Sequence, residues 1–317
     1  MVVNLEKLIE ACKWRPDVDL PYKEYYFKTN LANKIVLSRL SEFLEPLDND
    51  AIATVGSDAR LEKGYASQIE LVILLSEDSN KEVYQKISEK LPPVIHPFFE
   101  FKYKDSKSYL YNDIKNRIFP SRIIDLNFIT GNYDRFVYEK SKLIYEINED
   151  HKKIKQVLRN RKRYYSKILS DGSAKFKGNI LKHYDLKEGI VYFDNKTRWG
   201  LKAGPLRTIQ VDIVYRLYKT IHETQDLEFF LSIPKTTVER IYIFTSKDFP
   251  LIEAEELANN YMFFLKEYHK QQKVFHDFSK KMNSRNIIVN TVYDPNNWQE
   301  IKERIESIKT ILKLKEN

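Results

Sequence analysis

Three short β-rich runs of the chain carry residues that could bind phosphate and metal ions. Gly56-Ser57 ends a β-rich run, where a Gly-Ser pair lets the backbone pass close to a phosphate and the serine hydroxyl can bond its oxygens. Glu70 lies in the next β-rich run and Asp125 in a third. Acids presented on one face of neighbouring strands can hold Mg²⁺ for in-line transfer of a nucleotidyl group. We therefore predict a metal site at Glu70 and Asp125, beside a phosphate loop.

The predicted acid pair is incomplete, because Gln68 stands where its first member is expected. An amide oxygen is neutral and a poorer Mg²⁺ ligand than a carboxylate, so turnover should fall severely unless another acid replaces it. Asp58 and Glu62 lie in the same loop and could turn inward. A weakened enzyme and a protein that has kept the site without its chemistry both fit these residues.

Short strands and the loop between them would position these residues. The runs AIATVGS (51–57) and QIELVILL (68–75) are rich in β-forming residues. RIIDLNFIT (122–130) alternates apolar with polar residues, so we predict a third strand that contains Asp125. Residues 81–91 have helical spacing and predict a helix between the second and third strands.

Helical spacing dominates the two ends of the chain. Before Pro46 the apolar residues recur every three to four positions, and Leu31, Ile35 and Leu40 are among those predicted to line one side of a helix. After residue 145, long amphipathic patterns predict helices over 152–169, 208–223, 253–281 and 298–315.

Three separated motifs follow one another along the chain. In order, they comprise Gly56, Ser57, Ala59, Arg60, Glu62, Ser67, Gln68 and Glu70; Asp125, Leu126, Asn127 and Gly131; and Lys202, Gly204, Leu206 and Arg207. Together they resemble the nucleotidyltransferases often found beside CBS domains, relatives of the PII-protein uridylyltransferase and the glutamine-synthetase adenylyltransferase. The chain departs from that family's pattern at Gln68 in place of an acid, Ala59 in place of glycine and Asn127 in place of arginine.

The resemblance implies an α+β fold, with a polymerase-β-like nucleotidyltransferase domain (a small mixed sheet with helices) followed by an all-α helical domain. The implied limits are 1–48 for N-terminal helices that pack on the transferase domain, 49–145 for the nucleotidyltransferase-like domain and 146–317 for a helical, substrate-binding-like domain.

The function implied by the resemblance is metal-dependent transfer of a nucleoside monophosphate from a nucleoside triphosphate to a protein or small-molecule acceptor. Mg²⁺ or Mn²⁺ would be the cofactor, and Glu70 and Asp125 the catalytic and metal-binding acids. The implied nucleotide-binding residues are Gly56, Ser57, Arg60, Glu62, Lys202 and Arg207. The alternative is a catalytically impaired relative that binds a nucleotide or a partner and acts as a regulatory module.

Composition leaves a further alternative open. The net charge is +8, and residues 151–167 hold eight Lys or Arg and no acid, which indicates either the solvated face of a helix or a surface that contacts a polyanion. A nucleic-acid partner is not favoured, because the excess charge is modest and spread along the chain. One cysteine, Cys12, and no apolar run of about 18 residues lead us to expect a cytoplasmic protein with no membrane partner.

Overall fold

The structure is a computed structural model of the 317-residue chain. It describes residues 6–8, 10–11, 14–44, 49–64, 71–74, 123–149, 151–169, 191–193, 202–282, 289–291 and 295–313. The helices are α1 (Tyr22–Phe43), α2 (Tyr133–Glu149), α3 (His151–Leu169), α4 (Arg207–Thr224), α5 (Leu227–Leu231), α6 (Thr237–Ile243), α7 (Leu251–Met282) and α8 (Pro295–Ile311). The strands are β1 (Ala51–Thr54), β2 (Leu71–Leu74), β3 (Asn127–Gly131), β4 (Val191–Phe193) and β5 (Val289–Thr291).

The main sheet has three antiparallel strands in the order β2-β1-β3. All four residues of β1 are buried, as expected for a central strand that is covered on both faces. Helix α2 packs against all three strands. The α+β class is confirmed. β1 and β2 lie inside their predicted runs, and β3 overlaps its run but ends one residue beyond it, at Gly131. The described strand pairs are all antiparallel, so the mixed sheet that the resemblance implies stays a prediction.

The turn after β3 depends on one glycine. Gly131 has a φ of 96°, and a Cβ atom added there would lie 2.3 Å from the carbonyl oxygen of Asp50. Asn132 then donates its backbone N–H to the same carbonyl oxygen and accepts a bond from the N–H of Arg135. This asparagine is therefore the N-cap from which α2 starts directly after the sheet.

Helix α1 turns a different face inward from the one that its apolar residues predict. Leu31 and Ile35 are 53% and 40% exposed, whereas Leu40 is buried. The buried face instead includes two polar residues, Thr29 and Asn33. The prediction was wrong for Leu31 and Ile35, because Thr29 and Asn33 lie on the inward face with Val36 and Leu40, and the side-chain amide of Asn33 donates hydrogen bonds there.

The predicted helices of the second half are present, but this half is not purely helical. β4 and β5 form a two-stranded antiparallel sheet, with Val191 opposite Thr291. The all-α prediction for 146–317 is therefore wrong in this respect. The strands are three residues long, carry β-branched and aromatic residues that favour strands, and pair over a long sequence separation that helical periodicity does not reveal.

The chain divides into two compact units that are discontinuous in sequence. One gathers Met1–Asp17, Phe27–Ile154 and Tyr218–Thr236 and contains the main sheet. The other gathers Val18–Tyr26, Lys155–Leu217 and Thr237–Asn317 and contains the packed helices α6, α7 and α8. In the part of the chain that the structure describes, no helix combines the length and apolarity needed to cross a bilayer.

Candidate functional site

The predicted phosphate loop is a compact turn at the end of β1. Arg60 N–H donates to the carbonyl of Gly56 at 3.2 Å, and Glu62 N–H donates to the carbonyl of Ser57 at 2.8 Å. Gly56 has a φ of 73°, a conformation that favours glycine, and Leu61 also has a positive φ, of 60°. Within residues 51–64 only Gly56 and Ser57 are half-buried, and the others are buried. A ligand from solvent would therefore meet the Gly56-Ser57 backbone first.

A buried ion cluster lies in this loop and joins it to the third predicted acid. The guanidinium of Arg60 donates Nη1–H to Oδ2 of Asp125 and Nε–H to Oε2 of Glu62, the latter at 3.0 Å. Asp125 and Glu62 are only 3% and 2% exposed. The structure thus brings together Arg60, Glu62 and Asp125, although Asp125 is 65 residues from Arg60 in sequence.

A second buried ion pair closes the same loop. The ammonium of Lys63 lies 3.0 Å from Oδ1 of Asp58, and both side chains are buried. The two loop acids that could replace a missing metal ligand, Asp58 and Glu62, do turn inward. Each of them is paired there with a cation of the loop itself.

Two asparagines of α1 hold the loop from outside. The side-chain amide of Asn33 donates to the carbonyls of Leu61 and Lys63, both at 3.2 Å, and Asn30 donates to the Leu61 carbonyl at 2.9 Å. Because Leu61 has a positive φ, these bonds stabilise a backbone conformation that a leucine adopts rarely. The hydrogen bonds of Asn33 to the loop explain why this polar residue lies on the buried face of α1.

Asp125 lies in a turn and not in a strand, which corrects the predicted third strand. Residues 123–124 are helical, Leu126 N–H donates to the Ile123 carbonyl at 3.1 Å, and β3 begins at Asn127. The buried ammonium of Lys140, in α2, donates to the Leu126 carbonyl at 2.9 Å and so fixes the residue that follows Asp125. Strand β3 and helix α2 together position this acid.

Tyr218 of α4 also lies within electrostatic reach of Asp125. Burial, and then the negative charge of Asp125, raise the pKa of the Tyr218 hydroxyl well above its ordinary value. The tyrosine is consequently neutral at physiological pH, and the environment of the Asp125 carboxylate includes Arg60 and a protonated phenol.

The described residues do not fit a metal ion in this arrangement. An ion that bound Asp125 at Oδ2 would have to displace the guanidinium of Arg60. Among the residues that the structure describes, no group of three or more His, Cys, Asp or Glu side chains could hold a metal. Glu70, the other predicted ligand, and Gln68 lie outside the described residues.

The two cations predicted from the helical region are described less fully. Lys202 begins a kinked turn, Lys202–Leu206, in which Gly204 is not helical, and the side chain of Lys202 lies outside the described part. Arg207 opens α4 and donates to Gln210 at 3.1 Å. Arg207 belongs to the other compact unit from the loop, so its predicted contact with a triphosphate stays a prediction.

The basic run lies in α3, and those of its charges whose side chains the structure describes divide into two groups. Lys155, Arg159, Lys162 and Arg163 are exposed. Arg161 instead donates Nε–H at 2.9 Å to Asp212, a fully buried acid that also accepts from Arg216 at 2.7 Å. Arg161, Asp212 and Arg216 form a structural network between α3 and α4.

Several residues that build the loop site were not identified from the sequence, namely Asn30, Asn33, Lys63, Lys140 and Tyr218. Asn33 carried a signal, since it recurs at helical spacing with Thr29 and Val36 and a polar residue on a buried face needs hydrogen-bond partners. Lys140 and Tyr218 reach the site from distant segments, and no local pattern marks them.

No protein-family model matches the chain, and no curated protein matches it either. The resemblance to nucleotidyltransferases therefore rests on the residues named above.

Proposed function

We propose that the protein is a nucleotidyltransferase-like binding module that holds a nucleoside triphosphate at the Gly56-Ser57 turn and is impaired in transfer chemistry. The observation that carries the proposal is the buried ion pair between Arg60 and Asp125. In this pair Asp125, the acid predicted to bind a metal ion, is instead bonded to a cation of the chain itself. Gln68, which replaces the first acid of the pair, supports the same conclusion.

The exposure pattern of the loop supports ligand binding above a closed ion cluster. Gly56 and Ser57 are half-buried, whereas the acids and cations beneath them are buried. The positive φ of Gly56 lets the backbone approach a phosphate closely, and the Ser57 hydroxyl can donate to its oxygens. Binding without turnover would suit a regulatory role, in which occupancy of the site is the signal.

Equilibrium binding of ATP, UTP, CTP and GTP, with pyrophosphate release measured on the same samples in Mg²⁺, tests the proposal. We expect one triphosphate to bind saturably without release of pyrophosphate. Ser57→Ala should weaken binding by about tenfold or more, the loss expected for a hydrogen bond to a charged group. Ser232→Ala, at an exposed serine, is the matched control. Failure of all four nucleotides to bind would refute the proposal.

The second candidate is an active nucleotidyltransferase that uses Mg²⁺ or Mn²⁺ and a protein or small-molecule acceptor. The observation in its favour is that Asp125 does meet the Gly56-Ser57 loop through Arg60. The retention of Glu70 in an otherwise apolar run adds to it. For this function Arg60 would have to leave the carboxylate.

Pyrophosphate release distinguishes the two candidates. An active enzyme should release pyrophosphate as it transfers the nucleoside monophosphate to an acceptor hydroxyl or, where no acceptor is added, to water. Gln68→Asp should raise that rate by restoring a charged oxygen, and Asp125→Asn should abolish it. Under the binding-module proposal, wild type and Gln68→Asp both stay silent while nucleotide binding persists.

A further inference from the structure

A pocket of about 230 Å³ lies in the unit that contains the main sheet, between α1, β3 and Lys235. Lys34, Ser38 and Ser41 contribute one wall, and their spacing of four and three residues places them on one face of α1. Leu61 is the one residue of the phosphate loop in its wall. The pocket is thus a neighbour of the Gly56-Ser57 turn and not part of it.

Two lysines line the pocket. Lys34 and Lys235 both line it, and among the described residues that form its wall none is acidic. Lys34 is exposed and has no acidic partner in the described part of the chain. Two ammonium groups beside two serine hydroxyls and the amide of Asn127 give a set of donors that suits an anion with several oxygens.

Strand β3 adds backbone groups to these donors. Residues 127–129 of β3 all line the pocket, in the stretch where the register of β3 against β1 shifts. Within the described strands β3 pairs only with β1, so its other edge is an outer edge of the described sheet. Edge strands present N–H groups to whatever lies beside them.

We propose that this pocket binds the phosphate group of a small phosphorylated molecule, at a site separate from the proposed nucleotide turn. Phosphate is the common biological anion that can use several cationic and hydroxyl donors at once. The volume is below the range of about 300–1,000 Å³ typical of pockets for drug-sized ligands, so a whole nucleotide is too large. Free phosphate and a sugar phosphate share the required chemistry.

Calorimetric titration of the full chain with inorganic phosphate, ribose 5-phosphate and acetate, at constant ionic strength, tests the site. Both phosphates should bind saturably and acetate should not. The double variant Lys34→Gln/Lys235→Gln should weaken phosphate binding by about tenfold or more, since charge-assisted hydrogen bonds are lost. Lys23→Gln/Lys155→Gln removes the same charge from exposed lysines outside the pocket and should match wild type.

The outcomes separate the sources of the phosphate and the two proposals. Tighter binding of ribose 5-phosphate than of inorganic phosphate identifies a sugar phosphate, and equal affinity identifies free phosphate. Ser57→Ala should leave both affinities unchanged. The site is refuted if phosphate does not bind, if acetate binds equally well, if the control variant loses as much affinity, or if Ser57→Ala abolishes phosphate binding. Thermal unfolding of both lysine double variants checks that they fold.

Discussion

Removing the cation from the buried cluster of Arg60, Glu62 and Asp125 should cost more stability than removing one of its acids. Arg60→Met leaves two buried carboxylates without their shared guanidinium. Asp125→Asn keeps the size of the side chain and leaves Arg60 paired with Glu62 at 3.0 Å. Arg60→Met therefore leaves two negative charges close together without a cation. Asp125→Asn leaves the positive charge of Arg60 balanced by the negative charge of Glu62.

The magnitudes follow from the burial of these groups. Loss of one partner from a buried ion pair costs about 3–5 kcal/mol, which we expect for Arg60→Met. Loss of one hydrogen bond to a charged group costs about 1.5–3 kcal/mol, which we expect for Asp125→Asn. The double variant Arg60→Met/Asp125→Asn buries only one unpaired acid, Glu62. Its loss of stability should therefore be smaller than the sum of the two single losses by about 0.5–3 kcal/mol.

Urea unfolding followed by circular dichroism near neutral pH measures these differences. Arg39→Met is the matched control, because Arg39 pairs with Glu42 at 2.7 Å with both side chains about 40% exposed, and such pairs contribute less than about 1 kcal/mol. Equal costs for Arg60→Met and Arg39→Met, or strict additivity in the double variant, would refute the reasoning that the cluster is buried and shared.

Three further changes test other parts of the structure in the same unfolding assay. Because the pKa of Tyr218 is raised in the folded protein, the free energy of unfolding should be unaffected by this group below about pH 10 and should fall above it by about 1.4 kcal/mol per pH unit. Tyr218→Phe should make that fall shallower, and an unchanged slope would contradict the prediction. Asp212→Asn should cost about 3–5 kcal/mol, since it leaves Arg161 and Arg216 without their carboxylate, and a loss no greater than that of Asp248→Asn would contradict it. Gly131→Ala should cost about 2–4 kcal/mol through backbone strain and the clash with Asp50, and a near-neutral effect would show that the turn relaxes.

Regular elements were predictable where the chain carries a long or strongly apolar pattern. The predicted helix 253–281 corresponds to Leu251–Met282, and the run 68–75 contains Leu71–Leu74. The segment around Asp125 misled, because an alternation of Ile, Leu and Phe satisfies both a strand and a buried turn that leads into one. Two hydrogen bonds stabilise the turn, from Leu126 N–H to the Ile123 carbonyl and from Lys140 to the Leu126 carbonyl, and the alternation of apolar residues does not predict them.

The contacts of the candidate site were less predictable than its members. The resemblance implied Arg60 and Glu62, and residue type and position indicated Asp125. Their mutual pairing depends on the place of Asp125 in the turn before β3, which none of these signals shows. Likewise, the apolar pattern of α1 could not show that Asn33 would face the loop. A side-chain amide is buried at low cost only where it finds hydrogen-bond partners, here the carbonyls of Leu61 and Lys63.

The most direct measurement is Mn²⁺ binding, by electron paramagnetic resonance, to wild type and to Asp125→Asn, with and without ATP. If Arg60 takes the place of a metal ion at Asp125, the two proteins should give the same spectra and the same Mn²⁺ affinity in each condition. A bound Mn²⁺ signal in wild type that disappears in Asp125→Asn would contradict this and show that the carboxylate is a metal ligand.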